Sequence, residues 1–222
     1  DGASGLSGGD HGDIRLLSGS AMTVVARSEQ TYYGQLGIAS SDAWLSAVLN
    51  DFNAFLNDHA ANERKASAMA MSMVTHYPDK PDVLTAMIDL ALEELNHFRQ
   101  VVRLMQNLGI PPSADEKDPY VNRLRKHMRE GSDLYFLDRL LSAAVIEARG
   151  AERFARIAEG NVDPEIQVFY ATLARSERNH HHLFIDLALK YFAKHEVDDR
   201  LTEWLRIESE VVSSLEIRAR LH

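Results

Sequence analysis

Apolar residues recur at three- and four-residue intervals in five long stretches of this chain, the pattern of helices with one buried face. Ser41 caps the first, where Trp44, Leu45, Val48, Leu49, Phe52, Phe55 and Leu56 share a face. The pattern continues through Glu63 to Met73 and Val74 and ends near Tyr77, with a break expected between about Asn57 and Asn62. Pro81 opens the second stretch, 81–108, and Gly109 with Pro111-Pro112 closes it. The third begins at Asp133, carries Leu134, Leu137, Leu140, Leu141, Ala144 and Val145, and stops at Gly160. The fourth, 164–194, places Phe169, Tyr170, Leu173, Ala174, Phe184 and Leu187 along its inner side. The last, about 198–219, is expected to pack outside a bundle made by the other four or to mediate self-association.

The prediction is an all-α four-helix bundle with additional N-terminal and C-terminal helical segments. Residues 1–40 hold eight of the twelve glycines, many serines and little periodicity. They read as a flexible leader before a helical body at 41–222, with Met22 the expected native start.

Within the predicted helices one arrangement of polar residues occurs twice. Glu63 is followed 31 residues later by Glu94-x-x-His97, and Glu147 is followed 30 residues later by Glu177-x-x-His180. In each copy a proline, Pro81 or Pro164, stands thirteen residues before the second glutamate. That reads as a repeated helical hairpin. At a 1.5 Å rise per residue, a run of about 20 Å out and about 20 Å back returns the second glutamate to the level of the first. Positions i and i+3 share a helix face, so each Glu-x-x-His points both side chains inward.

Four carboxylates and two imidazoles at one level of an apolar interior need a counter-charge, and two divalent cations supply it. One glutamate from each of two helices plus Glu-x-x-His from two others is the ligand set of ferritin-like dimetal bundles. Carboxylate oxygen with imidazole suits iron or manganese better than zinc. The candidate metal ligands are therefore Glu63, Glu94, His97, Glu147, Glu177 and His180, around two ions of iron or manganese. Chance weighs little against this reading: with 16 glutamates and 10 histidines, less than one Glu-x-x-His is expected, without level-matched partners.

Several neighbours carry a weaker signal. His59, one turn before Glu63, is read as a supporting rim histidine rather than a ligand, since each metal already has one imidazole. Glu93 is expected to point away from Glu94, toward solvent or a supporting contact. His181 and His182 lie about 100° around the helix from their neighbours and should not share the metal of His180. Methionines 69, 71, 73, 87 and 105 read as core filler. Arg149, Arg153 and Arg156 form a stripe for which intrahelical pairing with Glu152 and Glu159 is an equally good explanation. Ala148 and Gly150 leave room for a substrate or for close helix approach.

Composition then narrows the class. With 222 residues and 45% hydrophobic content, the chain can bury one sizeable core. The absence of cysteine excludes disulfides, thiolate zinc sites and iron–sulfur clusters, so electrons must come from a separate donor protein or small reductant. No run approaches the length of a membrane span, and no secretory signal opens the chain, so a cytoplasmic enzyme is expected. A net charge of −9 argues against a general nucleic-acid coat, so an RNA substrate would need a local basic surface. One candidate exists: Tyr120 to Arg129 reads as a short basic helix. Its Arg123, Arg125, Lys126 and Arg129 are either an ordinary solvated face or a phosphate-binding patch.

Asp58-His59…Asn62-Glu63, Glu93-Glu94-Leu95-Asn96-His97, Glu147-Ala148-Arg149-Gly150-Ala151-Glu152-Arg153-Phe154 and Ser176-Glu177-Arg178-Asn179-His180 together resemble the MiaE family of tRNA hydroxylases over roughly residues 42–195. The resemblance implies a ferritin-like fold and a non-haem di-iron monooxygenase with dioxygen as co-substrate. It implies hydroxylation of the prenyl methyl of a 2-methylthio-isopentenyladenosine beside the tRNA anticodon, giving the ribozeatin form. The same match carries the six residues above over as iron ligands. The alternatives are another ferritin-like di-iron oxidase or peroxidase, a ferroxidase or a rubrerythrin-like enzyme, or a bundle without metal.

Overall fold

A computed structural model describes residues 36–160 and 162–222, and these form seven helices without a strand. They are α1 Asp42–Asn50, α2 Phe52–His76, α3 Pro81–Asn107, α4 Pro119–Arg125, α5 Ser132–Glu159, α6 Pro164–Tyr191 and α7 Lys194–Ser213. Helices α2 and α3 pack as one antiparallel hairpin, α5 and α6 as the other, and α3 against α6 joins the two. Most of residues 1–40, including Met22, lies outside the described residues. The described end of that segment is attached to the body. Ser40 donates its backbone N–H and its hydroxyl to the Glu152 carboxylate at 2.9 and 2.6 Å, and the Ile38 carbonyl accepts from Arg149 at 2.8 Å.

The first predicted helix does break, but at Asp51, not between Asn57 and Asn62. Asp51 ends α1 and caps α2, its carboxylate accepting the Ala54 N–H at 3.1 Å. The polar residues that suggested a later break instead bond back along the helix: Asn57 donates to the Asn53 carbonyl, and Asn62 to the carbonyl and carboxylate of Asp58. Helix α3 closes where expected. Gly109 takes φ 68°, a left-handed conformation that favours glycine, and the Ile110 N–H reaches the Met105 carbonyl at 2.8 Å.

Two corrections concern the later helices. The basic helix ends at Arg125, and Arg129 lies beyond it, its backbone N–H and guanidinium held by the buried Asp138 carboxylate at 2.8 to 3.1 Å. The last helix begins four residues earlier than predicted and ends at Ser213, with the Glu196 carboxylate accepting the Ala193 N–H at its start. It packs on α5 with Trp204 fully buried, which agrees with the first of its two expected roles.

The buried core falls into two clusters along the bundle axis. One gathers Met73, Leu90, Leu137, Leu141, Phe184, Leu187 and Trp204; the other gathers Trp44, Phe55, Val101, Phe154, Ile166 and Tyr170. Along each of the four long helices, the candidate ligands stand between the residues of these two clusters. Apolar packing above and below fixes the helix spacing, so the polar layer is held by the fold rather than by its own contacts.

Candidate metal centre

All six candidate ligands meet in that layer, and none is more than 7% exposed. His97 Nδ1 lies 3.4 Å from Glu94, 3.6 Å from Glu177 and 3.7 Å from Glu63 carboxylate oxygens. His180 Nδ1 lies 3.0 Å from Glu177 and 2.9 Å from Glu94. Two ligand groups result, Glu63, Glu94, His97 and Glu177 in one, Glu94, Glu147, Glu177 and His180 in the other. In each, one donor atom per residue lies within 4.8 Å of all the rest. Glu94 and Glu177 belong to both groups, Glu63 and Glu147 to one each.

The electrostatics show why the layer suits cations. Burial, reinforced by the Glu94 and Glu177 charges, pushes the Glu63 and Glu147 carboxyls well above their ordinary range. Burial acts on Glu94 in the same direction, but the nearby His180 and His97 imidazoles outweigh it and hold that carboxyl low. The imidazoles respond in turn. Burial disfavours charge on His97, yet Glu63 and Glu94 push it up to about 10, and His180 is raised further still by Glu177, Glu93 and Glu94. Four carboxylates face only two imidazoles in this layer, so it favours added positive charge. Both Glu94 oxygens, Glu177 Oε1 and His97 Nδ1 are buried without a hydrogen-bond partner, which is the condition of donor atoms arranged for a metal. A pair of divalent cations fits this set.

The surrounding residues sort differently from their sequence neighbours. His59 is fully buried. Its Nε2 lies 2.6 Å from Glu63 and its Nδ1 3.1 Å from the Tyr170 hydroxyl, so it supports a candidate ligand, as expected. His181 turns away to the Ala144 carbonyl at 2.7 Å. Glu93, half exposed, faces the outer edge of the His180 ring and takes a hydrogen bond from Ser176, contacts that hold its carboxyl down to about 2. The arginine stripe is not a set of simple intrahelical pairs. Arg149 does meet Glu152 at 3.0 Å, but it also binds Glu208 on α7 at 2.7 Å; Arg153 reaches Ser40 and the Leu221 carbonyl, and Arg156 reaches Asp42.

A cavity of about 1300 Å³ runs between α2 and α5 under a roof formed by α4 and the segments flanking it. Glu63, Glu94, Glu147 and Glu177 stand in its wall, with Ala66, Met69, Ala143, Ile146, Gly150 and Phe154 giving an apolar lining beside them. Neither His97 nor His180 lines the cavity. Of the four basic residues proposed for RNA, Arg125 and Arg129 line the cavity, whereas Arg123 binds Ser214 through its carbonyl at 3.1 Å and hydroxyl at 2.6 Å. Lys126 is exposed and lies outside the lining. Arg139, which no motif in the sequence singles out, also lines this cavity.

Fold and site together define a ferritin-like helical bundle of the dimetal carboxylate class. Within that class, residues 30–222 match the model of the family described as tRNA-(MS[2]IO[6]A)-hydroxylase (MiaE), and the chain belongs to that family. It is 35% identical over 188 residues to the tRNA 2-(methylsulfanyl)-N(6)-isopentenyladenosine(37) hydroxylase of Pseudomonas putida, covering 84% of this chain and 91% of that one. The enzyme of the same name from Salmonella typhimurium is 32% identical over 165 residues, 74% of this chain and 60% of that longer one. Among solved structures, a Synechococcus protein with aldehyde deformylating oxygenase activity superposes with a TM-score of 0.81 at 31% identity, over 85% of this chain and 95% of that one. These relatives favour an oxygen-dependent hydroxylase over a ferroxidase or a rubrerythrin-like enzyme. Among the described residues, no helix is long and apolar enough to cross a membrane.

Proposed function

We propose that this enzyme is a di-iron monooxygenase that hydroxylates the isopentenyl group of 2-methylthio-isopentenyladenosine next to the tRNA anticodon. The observation that carries the reading is the cavity between α2 and α5, which ends on the four carboxylates and is lined beside them by apolar side chains. A prenyl tail matches that lining, and a nucleoside flipped out of an anticodon loop can present it without unwinding a duplex.

Glu63, Glu94, His97, Glu147, Glu177 and His180 would hold two iron ions, with Glu94 and Glu177 shared. Bound iron supplies the reduction of dioxygen and the insertion of one oxygen atom into a C–H bond. The residues of the chain do the rest. Met69, Ile146 and Phe154 exclude water and orient the tail, so that the methyl to be hydroxylated faces the carboxylate layer. Arg125 stands at the cavity with Lys126 beside it in the chain, suited to anticodon-loop phosphates, and phosphate contacts set the register of the RNA. Electrons come from a separate donor protein or small reductant, since the chain has no cysteine to hold a second redox centre.

The test is direct. Protein loaded with iron is incubated with oxygen, a reductant and tRNA carrying the prenylated base, and the nucleosides are resolved by mass spectrometry. The expected product is heavier by one oxygen. No such product, from a centre that demonstrably cycles between oxidation states, overturns the assignment.

A further inference from the structure

Glu93 sits beside a candidate ligand, yet it reaches the two imidazoles from their far edges. Adjacent residues on a helix point about 100° apart. Glu94 therefore takes the inner face of α3, while Glu93 turns to the α3–α6 seam. There its Oε2 lies 3.3 Å from His180 Nε2 and its Oε1 lies 3.8 Å from His97 Nε2. The Ser176 hydroxyl donates to Oε1 and anchors the carboxylate from α6. The two rings stand 5.8 Å apart at 35°, with both Nδ1 atoms turned inward to the glutamates. His180 Nε2 is buried without a hydrogen-bond partner, and Glu93 Oε2 is the oxygen that faces it.

We propose that Glu93 is a positioning residue for both histidines, one carboxylate set against the outer edge of each imidazole, taking the Nε2–H of His180 from 3.3 Å and orienting that of His97 from 3.8 Å. This rests on the reading of the six residues as metal ligands. An imidazole that donates one N–H to a carboxylate is fixed in the tautomer that leaves its other nitrogen free to bind a metal, and it becomes the more basic ligand. Two features separate this role from that of an ordinary exposed glutamate. The rings it faces come from different helices, so a single side chain sets their mutual orientation. Its side chain is 50% exposed at the surface of the seam and does not line the cavity, so it stands outside the substrate space.

The experiment uses the full chain loaded with cobalt(II), without tRNA or oxygen. Wild type should bind two ions and show two solvent-exchangeable, paramagnetically shifted imidazole N–H resonances. In Glu93→Ala, affinity for both ions should fall about 10- to 100-fold, and both resonances should exchange-broaden or disappear. Glu93→Gln keeps an acceptor of the same shape, so both resonances should persist at shifted positions with a smaller loss of affinity. Ser176→Ala should fall between these two. Helicity and metal-free melting should be unchanged in all three variants. Wild-type cobalt affinity with unaltered resonances in Glu93→Ala overturns the role of Glu93. Failure of the wild type itself to bind two ions overturns the ligand reading and this inference with it.

Discussion

His59 Nε2 lies 2.6 Å from a Glu63 carboxylate oxygen, one helical turn along α2, and its other ring nitrogen lies 3.1 Å from the buried Tyr170 hydroxyl. Burial pushes the His59 pKa down to about 3, so the ring is neutral near pH 7. A neutral imidazole has one N–H to give, so the ring donates to one of these two partners and accepts from the other. Tyr170, His59 and Glu63 thus form a chain of hydrogen bonds ending on a candidate metal ligand.

Removing the middle link strands both ends. His59→Ala is expected to cost about 1–3 kcal/mol of stability, because a buried hydroxyl and a buried carboxylate oxygen lose their partner. Affinity should fall at the ion held by Glu63 and His97, with the ion at Glu147 and His180 less affected. Urea denaturation and stepwise metal titration check the two parts separately.

Metal removal should destabilise the protein in proportion to affinity. At free metal one hundred times the dissociation constant, each site contributes about 2.7 kcal/mol, which a chelator abolishes. Binding should also release protons, because burial opposes charge on His97 but Glu63 and Glu94 push its pKa up to about 10. A metal ion at Nδ1 must displace that proton, so affinity should rise with pH through the range below about 10. Calorimetry in buffers of different ionisation enthalpy counts the protons, and a pH-independent affinity contradicts the expectation.

Asp138 contributes to stability on the acid side. Fully buried, it accepts from Arg200 at 2.7 and 2.8 Å, from Arg129, and from the Trp204 indole at 3.2 Å. Burial alone would raise its carboxyl, but Arg200 and Arg129 outweigh it and hold the pKa below the ordinary 3.8. A folded pKa lower than the unfolded one means the unfolded chain binds more protons at acid pH. The contribution is therefore complete above about pH 4 and disappears as pH falls through the folded value. Asp138→Asn should cost about 3–5 kcal/mol at pH 7 by leaving Arg200 without its buried counter-charge. The gap to wild type should narrow as pH drops toward 3, as followed by denaturant titration.

The basic residues around α4 should separate into two behaviours. Arg125→Glu is expected to weaken tRNA binding and to lower the slope of log affinity against log salt by about 1, with metal content and stability unchanged. Arg129→Glu should instead destabilise the fold, since it sets a carboxylate against Asp138. Filter binding at several salt concentrations, beside thermal melting, distinguishes them.

Gly150 offers a probe of the cavity. A methyl group built there meets only Glu177 Cγ, at 3.8 Å, an ordinary contact. Gly150→Ala should gain about 0.5–1 kcal/mol from the better helix former. A larger side chain, as in Gly150→Leu, should fill the space beside the carboxylates and raise KM for the tRNA substrate while the metal content stays constant.

The level of the six ligands was legible because helix rise and period are local. Thirteen residues from proline to glutamate, twice, predict a common height whatever else the chain does, and all six residues do meet. The same locality explains the errors. Asn57 and Asn62 look like helix breakers because the side chains can compete with the backbone, but inside a packed helix they bond back along it. Arg129 reads as one more cation on a basic helix, because nothing near it in sequence announces that Asp138 will capture it from α5.

Alone, the sequence determined the helices, the polar layer across them and the donor chemistry of that layer, since these follow from spacing and residue type. Only the tertiary structure decided that α2 and α5 part to leave a cavity on the carboxylate side. It alone turned Glu93 to the outer edges of both imidazoles and committed Arg149 to Glu208 on α7. Each of these depends on partners tens of residues away or on different helices. Their relative placement comes from packing the two core clusters, which no local pattern encodes.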